Sequence, residues 1–291
     1  MRKNPVLENE MKRYTRNMKC AWIILGVNLV LALFALIAQM GLSGRENYMT
    51  ILQYRFPIQC YVLMGYGLFL AICILIPGLA GGSIAGERER KTLDLLLTTH
   101  LSPWKTILGK LGSSLCLIFL ISFSTLPVIG LVLIYGGITL VNLFQLILNL
   151  VITGIFIGSI GIFYSAIIRK TTVAVILSYV TVVLLVFGTM GILFGTGYIQ
   201  QMRGMYQEGF TGIRLGGLVY LLYFNPAVTL YGLIGQQTTN AYGLVRLCGH
   251  FGDYSHSFGV EHMVELSILV QLGCSALLLI AAGRHINPMR K

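Results

Sequence analysis

Charged side chains are scarce in this sequence. Asp, Glu, Lys and Arg together make up 11% of its 291 residues, whereas hydrophobic residues make up 56%. Such a composition, with several uncharged runs of about 20 residues, excludes a soluble domain and indicates a membrane protein with several spans. The predicted spans contain essentially no ionisable residue. This argues against proton- or sodium-coupled transport, because such pathways place ionisable groups inside the membrane.

A nucleotide-binding motif is also missing. The stretch from Gly86 to Thr92 ends in a Lys-Thr pair, but no second glycine precedes Lys91 and no buried strand leads into the stretch. It is therefore not a phosphate-binding loop. We expect no ATPase activity, no catalytic residue and no cofactor in this chain. ATP and Mg²⁺, if they drive its function, must bind to a separate polypeptide.

Cysteine and metal-ligand motifs are equally weak. The six cysteines show no Cys-x-x-Cys spacing, and several fall inside apolar runs, so they are expected to be small buried hydrophobes. Cys60 and Cys248 both fall near the predicted outer surface, which leaves a disulfide between them open. No metal is predicted, because the spacings of one polar cluster match no known ligand framework. That cluster consists of His250, Asp253, His256, Glu261, His262 and Glu265.

The apolar runs predict an all-α polytopic membrane protein with six transmembrane helices in a single domain, residues 1–291. Residues 1–20 precede the first span and place Leu7, Met11, Tyr14 and Met18 on one helical face, which indicates an interfacial amphipathic helix. A disordered basic tail is the alternative. The predicted spans are 21–40, 60–85, 107–135, 141–168, 173–194 and 263–283, and a further apolar region, 215–235, is broken by Asn225-Pro226.

The distribution of Lys and Arg predicts the orientation. With six spans and both termini in the cytoplasm, 16 of the 21 basic residues lie on the cytoplasmic side. If residues 215–235 also crossed, the division would be 14 against 7, so this region is predicted to form short re-entrant or interfacial half-helices on the outer side. The net charge of +11 thus reports membrane orientation, and no nucleic-acid partner is expected.

The densest run of charge lies between the second and third spans. Glu87 with Lys91 and Arg90 with Asp94 are opposite charges four residues apart, which favours a helix. Four leucines add an apolar stripe beside the charges, so a two-faced helix of about four turns is predicted over residues 87–101. Ser102-Pro103 is a helix-start signal for the next span. The leucines are Leu93, Leu96, Leu97 and Leu101.

This stretch resembles a segment of the permeases of type-two ABC exporters. Residues 87–99 read ERERKTLDLLLTT and are followed by Leu101-Ser102-Pro103 and Gly109-Lys110, and they look like the family's ERE-x-GTLELLLTTPLSP…GK. Asn4-Pro5, Asn225-Pro226 and the six-span layout extend the resemblance weakly. Lys91 stands where the family usually has Gly, and His100 stands where Pro is common.

The resemblance implies the permease subunit of an ATP-binding cassette exporter in the cell membrane. In that family the charged stretch carries the coupling helix, which contacts a cytoplasmic ATPase subunit. A second permease subunit, identical or related, would complete the substrate path. The ATPase-coupling residues implied are Glu87, Arg88, Glu89, Arg90, Leu93, Asp94, Leu96, Leu97 and Leu101.

Other interpretations remain open at this stage. The chain could be an ion-coupled transporter, or a membrane sensor or assembly factor that binds an ATPase without transporting anything. The charged stretch could be only a solvated loop. Glycines four residues apart could pack helices within the chain or form a seam with a second subunit. Several polar residues could line a substrate route or bond to a neighbouring helix: Asn28, Gln39, Asn149, Tyr179 and Gln271.

Overall fold

The structure of the chain is a computed structural model, and it is helical. It describes residues 12, 18–43, 49–91, 103–125, 138–204, 215–238, 243–252 and 257–286, and no strand occurs within these ranges. The all-α prediction is confirmed.

The described residues contain eleven α-helices, numbered here in chain order, and two other helical segments that interrupt the series. A π-helical segment, Leu184–Gly188, separates α6 from α7, and a 3₁₀ helix, Gly216–Phe224, precedes α8. The α-helices are α1 (Met18–Ser43), α2 (Met49–Ser83), α3 (Ala85–Glu89), α4 (Pro103–Ser124), α5 (Leu140–Ile167), α6 (Thr171–Val183), α7 (Thr189–Gly204), α8 (Pro226–Gln237), α9 (Gly243–Gly249), α10 (Phe258–Glu261) and α11 (Met263–Ile286).

Five helical runs within the described ranges are long and apolar enough to cross a bilayer. They correspond to the second to sixth predicted spans, and a sixth candidate is the 3₁₀ helix together with α8. The first predicted span lies in α1, which has 26 residues and the apolar section Ala21–Leu33. The prediction of a multi-pass membrane protein is confirmed. The five runs are Ile58–Glu89, Trp104–Ser124, Leu140–Ile167, Thr171–Met202 and Met263–His285.

The bent region before the last span also agrees with the prediction. The 3₁₀ helix and α8 meet at Asn225-Pro226 at an angle of 91°. The Asn225 side chain accepts a hydrogen bond from the Ala227 amide, and Pro226 occupies the first turn of α8. Both are strong start signals for a helix, so the chain turns at this point and does not continue as one straight span.

Two predicted elements fall largely outside the described residues. The N-terminal amphipathic helix is one, since only residues 12 and 18–20 of residues 1–20 are described. The second half of the third span is the other. Its helix begins at Pro103, as predicted, and is described as far as Ser124, whereas residues 126–137 lie outside the described ranges.

The chain divides into two compact units. The first consists of Met1–Val180 with Cys274–Lys291, and the second of Thr181–Gly273. The single membrane domain predicted from the sequence stays a prediction.

Helix α5 is the buried centre of the first unit. It begins at Thr139, whose side chain caps the Asn142 amide at 3.3 Å, and its middle residues are almost all buried. Close approach depends on its glycines. A Cβ atom on Gly161 would lie 2.7 Å from that of Ala80 in α2, and one on Gly154 would lie 2.4 Å from a methyl carbon of Ile118 in α4. Small residues therefore let α5 pack tightly between α2 and α4.

A tyrosine of α6 bonds to the backbone of α2 in the turn before Pro77. The Tyr179 hydroxyl donates to the Ile74 carbonyl at 2.6 Å, and its oxygen would lie 2.9 Å from a Cβ atom on Gly78. The carbonyl that Pro77 leaves without its α-helical donor is that of Cys73, four residues before it. The Tyr179 bond therefore joins α6 to α2 beside the disturbed turn.

The second unit has its own apolar core. The buried members come from α7, the 3₁₀ helix, α8, α9 and the start of α11, and they include Leu193, Leu222, Val228, Leu244 and Met263. Short helices before the last span are thus packed elements and not a solvated loop.

Candidate functional site

The charged stretch begins directly beneath the end of α2. Ile84 forms a turn after Ser83, and the five-residue helix α3 follows. Of the nine predicted coupling residues, Glu87, Arg88, Glu89 and Arg90 are described. The other five, Leu93, Asp94, Leu96, Leu97 and Leu101, lie outside the described residues.

The helix predicted from residue 87 onwards is interrupted near its start. Helix α3 ends at Glu89, and Lys91 has a φ of 57°, in the left-handed region that favours glycine. The i,i+4 charge pairs that predicted a continuous helix are worth only about 0.2–0.5 kcal/mol each. Tertiary contacts of Glu87 and Glu89, described next, outweigh them. The position where the resembling family has Gly is therefore the position where this chain needs a glycine-like conformation.

Ser165, near the end of α5, holds the turn between α2 and α3. Its hydroxyl oxygen accepts hydrogen bonds from the amides of Ile84 and Ala85 at 2.9 and 2.8 Å. Ser165 is fully buried. A single side chain thus satisfies two amides that the short helix leaves without carbonyl partners, and it fixes where the chain turns.

Lys110 of α4 holds the same turn from another side. Its Nζ atom donates to the Ser83 carbonyl at 2.9 Å and to Glu87 Oε1 at 2.7 Å. The Lys110 side chain is 3% exposed and that of Glu87 is 24% exposed. A buried ammonium is costly unless it is paired and hydrogen-bonded, so both contacts are needed.

Lys110 also corrects one sequence-based statement. The spans were expected to be essentially free of ionisable residues, yet Lys110 lies inside the candidate span Trp104–Ser124. The reason is that Glu87 provides its counter-charge from the adjacent segment. This ion pair joins α3 to α4.

Thr171, the first residue of α6, completes the set of anchors. Its hydroxyl donates a hydrogen bond to Glu89 Oε2. The carboxylates of Glu87 and Glu89 are thus both used to fasten the charged stretch to spans. Glu89, Arg90 and Lys91 remain exposed, so the two basic side chains can meet a partner.

The anchoring role of Ser165, Lys110 and Thr171 was not predicted from the sequence. Ser165 and Thr171 carry no signal in the sequence, because one hydroxyl in an apolar helix looks like any other. Lys110 did carry one, since it is a charged residue just inside an apolar run. Only the structure shows that these side chains converge on residues 83–89.

The described members of the candidate ligand cluster do not converge on one point. His262 Nδ1 lies 4.0 Å from Glu265 Oε2, and both side chains are at least half exposed. Among the described residues no group of three or more His, Cys, Asp or Glu side chains could hold a metal ion. Asp253 and His256 lie outside the described residues.

Cys60 and Cys248 are both free thiols in buried positions. Burial raises the pKa of Cys248, in the short helix α9, to about 11. The thiol therefore stays protonated at neutral pH and reacts slowly, because the thiolate is the reactive form.

Most of the polar span residues singled out from the sequence bond to neighbouring helices. Asn28 donates to Ser124 Oγ at 2.9 Å, which joins α1 to α4. Tyr179 joins α6 to α2, as described above, and Gln271 of α11 donates to Thr229 Oγ1 of α8 at 2.8 Å. Asn149 is buried in α5, and its Oδ1 atom has no hydrogen-bond partner. The side chain of Gln39 is outside the described part of the structure.

The glycine pairs divide into two groups. Cβ atoms at Gly78, Gly82, Gly154 and Gly158 would each meet an atom of a neighbouring helix in the chain. For these pairs the interpretation as intrachain packing is confirmed. Nothing lies within 4 Å of a Cβ atom at Gly191 or Gly195.

Comparison with known proteins gives one match. The family model described as ABC-2 family transporter protein matches residues 44–283. A search of curated proteins finds no match. The matched region includes the whole anchored segment and the second to sixth predicted spans, whereas the first predicted span, 21–40, precedes it.

Proposed function

Because this chain belongs to the ABC-2 family of transporter proteins, we propose that it is the permease subunit of an ATP-driven exporter. Permeases of this family normally have no ATPase activity of their own. In this proposal a separate cytoplasmic ATPase subunit binds ATP and Mg²⁺ and contacts residues 87–101. A second permease subunit, identical or related, encloses the substrate path together with this one.

The observation that carries the proposal is the anchoring of the charged stretch. Residues 83–89 continue from α2 and are bound to α4 by Lys110, to α5 by Ser165 and to α6 by Thr171. A force applied beyond Glu89 therefore reaches four of the candidate spans, to which α2, α4, α5 and α6 belong. A solvated loop would need none of these contacts.

The mechanism follows from this connection. Closure of the ATPase pair on ATP pushes residues 87–101, which move the ends of α2 and α4 and change the access of the path from inward to outward. The stripe of Leu93, Leu96, Leu97 and Leu101 lies in a groove of the ATPase. Glu87 and Glu89 fasten the stretch to the spans, which leaves Arg88, Arg90 and Asp94 to set its register on the partner.

In this proposal the stretch and both termini lie in the cytoplasm. The excess of Lys and Arg supports this side, because basic residues concentrate in cytoplasmic loops. The two tryptophans of the sequence, Trp22 and Trp104, lie near the first residues of α1 and α4 and are 68% and 43% exposed. Tryptophan is enriched at both membrane interfaces, so these residues mark an interface and do not decide the side.

The test uses the Leu stripe and needs no knowledge of the cargo. Spin labels at the ends of α2 and α4, in the complex with the ATPase, report a distance before and after trapping with ATP and vanadate. We expect trapping to change this distance in the wild type but not in the double variant Leu96→Asp/Leu97→Asp. Leu95→Asp is the matched control, because Leu95 lies on the opposite side of the helical wheel and should leave the response intact.

Two results would refute the proposal. One is an unchanged nucleotide response in the Leu96→Asp/Leu97→Asp variant that still inserts into the membrane. The other is the absence of any ATPase bound to the purified wild-type chain.

A further inference from the structure

The fifth span is not a regular helix. Between α6 and α7 the segment Leu184–Gly188 has π-helical hydrogen bonding. The segment contains no proline that would explain this irregularity. A π segment holds one extra residue in a turn, weakens the normal backbone bonding and is frequent at functional positions. Something outside the helix must stabilise it.

Asn225 provides that stabilisation from the corner between the 3₁₀ helix and α8. Its Nδ2 atom donates to the Val186 carbonyl, inside the π segment, at 2.9 Å and to Thr189 Oγ1 at 2.8 Å. Its Oδ1 atom accepts from the Ala227 amide at 2.9 Å. Only this orientation of the amide fits. A flipped amide would turn its oxygen toward the Val186 carbonyl and toward a Thr189 hydroxyl whose hydrogen is donated to the Leu185 carbonyl. Asn225 is completely buried, so no water replaces these bonds.

The same corner is bonded to the last span on its other side. Ser267 Oγ donates to the Tyr223 carbonyl at 2.8 Å, and Gln271 Nε2 donates to Thr229 Oγ1 at 2.8 Å and to Ser267 Oγ at 3.0 Å. Thr229, Ser267 and Gln271 are all buried. A buried polar network whose groups are all hydrogen-bonded favours one specific arrangement of its side chains. Removing one member leaves its partners buried without a hydrogen bond, which costs free energy.

We propose that the corner Tyr223–Thr229 is a polar joint between the fifth and last spans, and that Asn225 is a latch that keeps Leu184–Gly188 in its π form. When the latch opens, the Val186 carbonyl regains an α-helical partner. The extra residue of the π turn is then absorbed, which turns α7 by about 100° about its axis. This device belongs to the chain itself and does not depend on the proposed ATPase partner.

The test is hydrogen exchange on the full chain in phosphatidylcholine nanodiscs. In Asn225→Ser the N-cap acceptor is kept, but the hydroxyl is too short to reach Val186. Without the latch the segment interconverts between its π and α forms, which repeatedly breaks its amide hydrogen bonds. We therefore expect the amides of residues 184–191 to exchange about tenfold faster or more. Exchange in α5 should not change. Thr196→Val is the control, because the Thr196 hydroxyl bonds only to carbonyls of its own helix.

A second variant tests the connection to the last span. Gln271→Leu removes the donor to Thr229, and we expect faster exchange in α8 and also in residues 184–191, on the far side of the corner. If exchange changes only in α8 and α11, the joint does not exist. If residues 184–191 exchange at the wild-type rate in Asn225→Ser, the latch does not exist.

Global unfolding of Asn225→Ser would appear as faster exchange in α5. Thr189→Val, which loses the second acceptor of Asn225, then takes its place. An unchanged rate at residues 184–191 in that variant would equally overturn the latch.

Discussion

At the scale of single residues, the ion pair of Lys110 and Glu87 decides how the charged stretch is held. An ammonium that is 3% exposed, inside a helix of a span, has to be neutralised locally. Its partner comes from the stretch that we propose to contact the ATPase. The same contact therefore contributes to stability and connects two elements that must move together.

Removing one member of this pair should destabilise the chain strongly. Lys110→Met leaves the Glu87 carboxylate and the Ser83 carbonyl without their donor, and we expect a loss of about 3 kcal/mol in the free energy of unfolding. Adding Glu87→Gln to Lys110→Met should restore part of that loss, because no charge then remains at the site. The measurement is equilibrium unfolding in micelles with increasing dodecyl sulfate. If the loss in the double variant equalled the sum of the losses in Lys110→Met and Glu87→Gln alone, the two groups would not interact.

At the scale of elements, hydrophobic pattern and end signals predicted most helices well. Helix α5 was expected at 141–168 and is found at Leu140–Ile167, and α4 begins at the proline that marked its start. Long apolar runs are strong signals because every residue of a span contributes to them. Asn225-Pro226 predicted the break in the apolar region because helix capping depends only on residues that are neighbours in the sequence.

The sequence could not predict irregularities that tertiary contacts impose. The break at Lys91 depends on where Ser165, Lys110 and Thr171 hold the preceding turn. The π segment is bonded to Asn225, which is 39 residues from Val186 in the sequence. Periodicity within one helix contains no information about such distant partners, so the anchoring of the charged stretch could not be predicted, and the coupling role of its residues stays a prediction.

The packing of α5 provides a prediction at this scale. Gly161→Ala places a Cβ atom 2.7 Å from that of Ala80 and 3.0 Å from the Gly81 amide nitrogen, so the α2 backbone would have to move. We expect a loss of about 1–3 kcal/mol in the free energy of unfolding. Gly191→Ala is the matched control, because nothing lies within 4 Å of its Cβ position. Equal effects of the two substitutions would show that α5 is not packed against α2 as described.

At the scale of the whole molecule, the chain combines a buried helical unit, which holds the charged stretch, with a second unit containing the short helices before the last span. The first unit provides the contacts through which we propose that an ATPase acts. The second contains the joint that we propose between the fifth and last spans. Membership of the ABC-2 family makes an ATPase partner the general expectation.

The central claim is that the stretch after α2 lies in the cytoplasm against a separate ATPase. The most direct measurement places a photo-crosslinking amino acid at position 96, and at position 95 as the control, in cells that also produce the ATPase. The account predicts a light-dependent crosslink between this chain and the ATPase from position 96 and a weaker one from position 95. No crosslink from position 96, together with labelling of that position by a membrane-impermeant reagent added outside the cell, would contradict it.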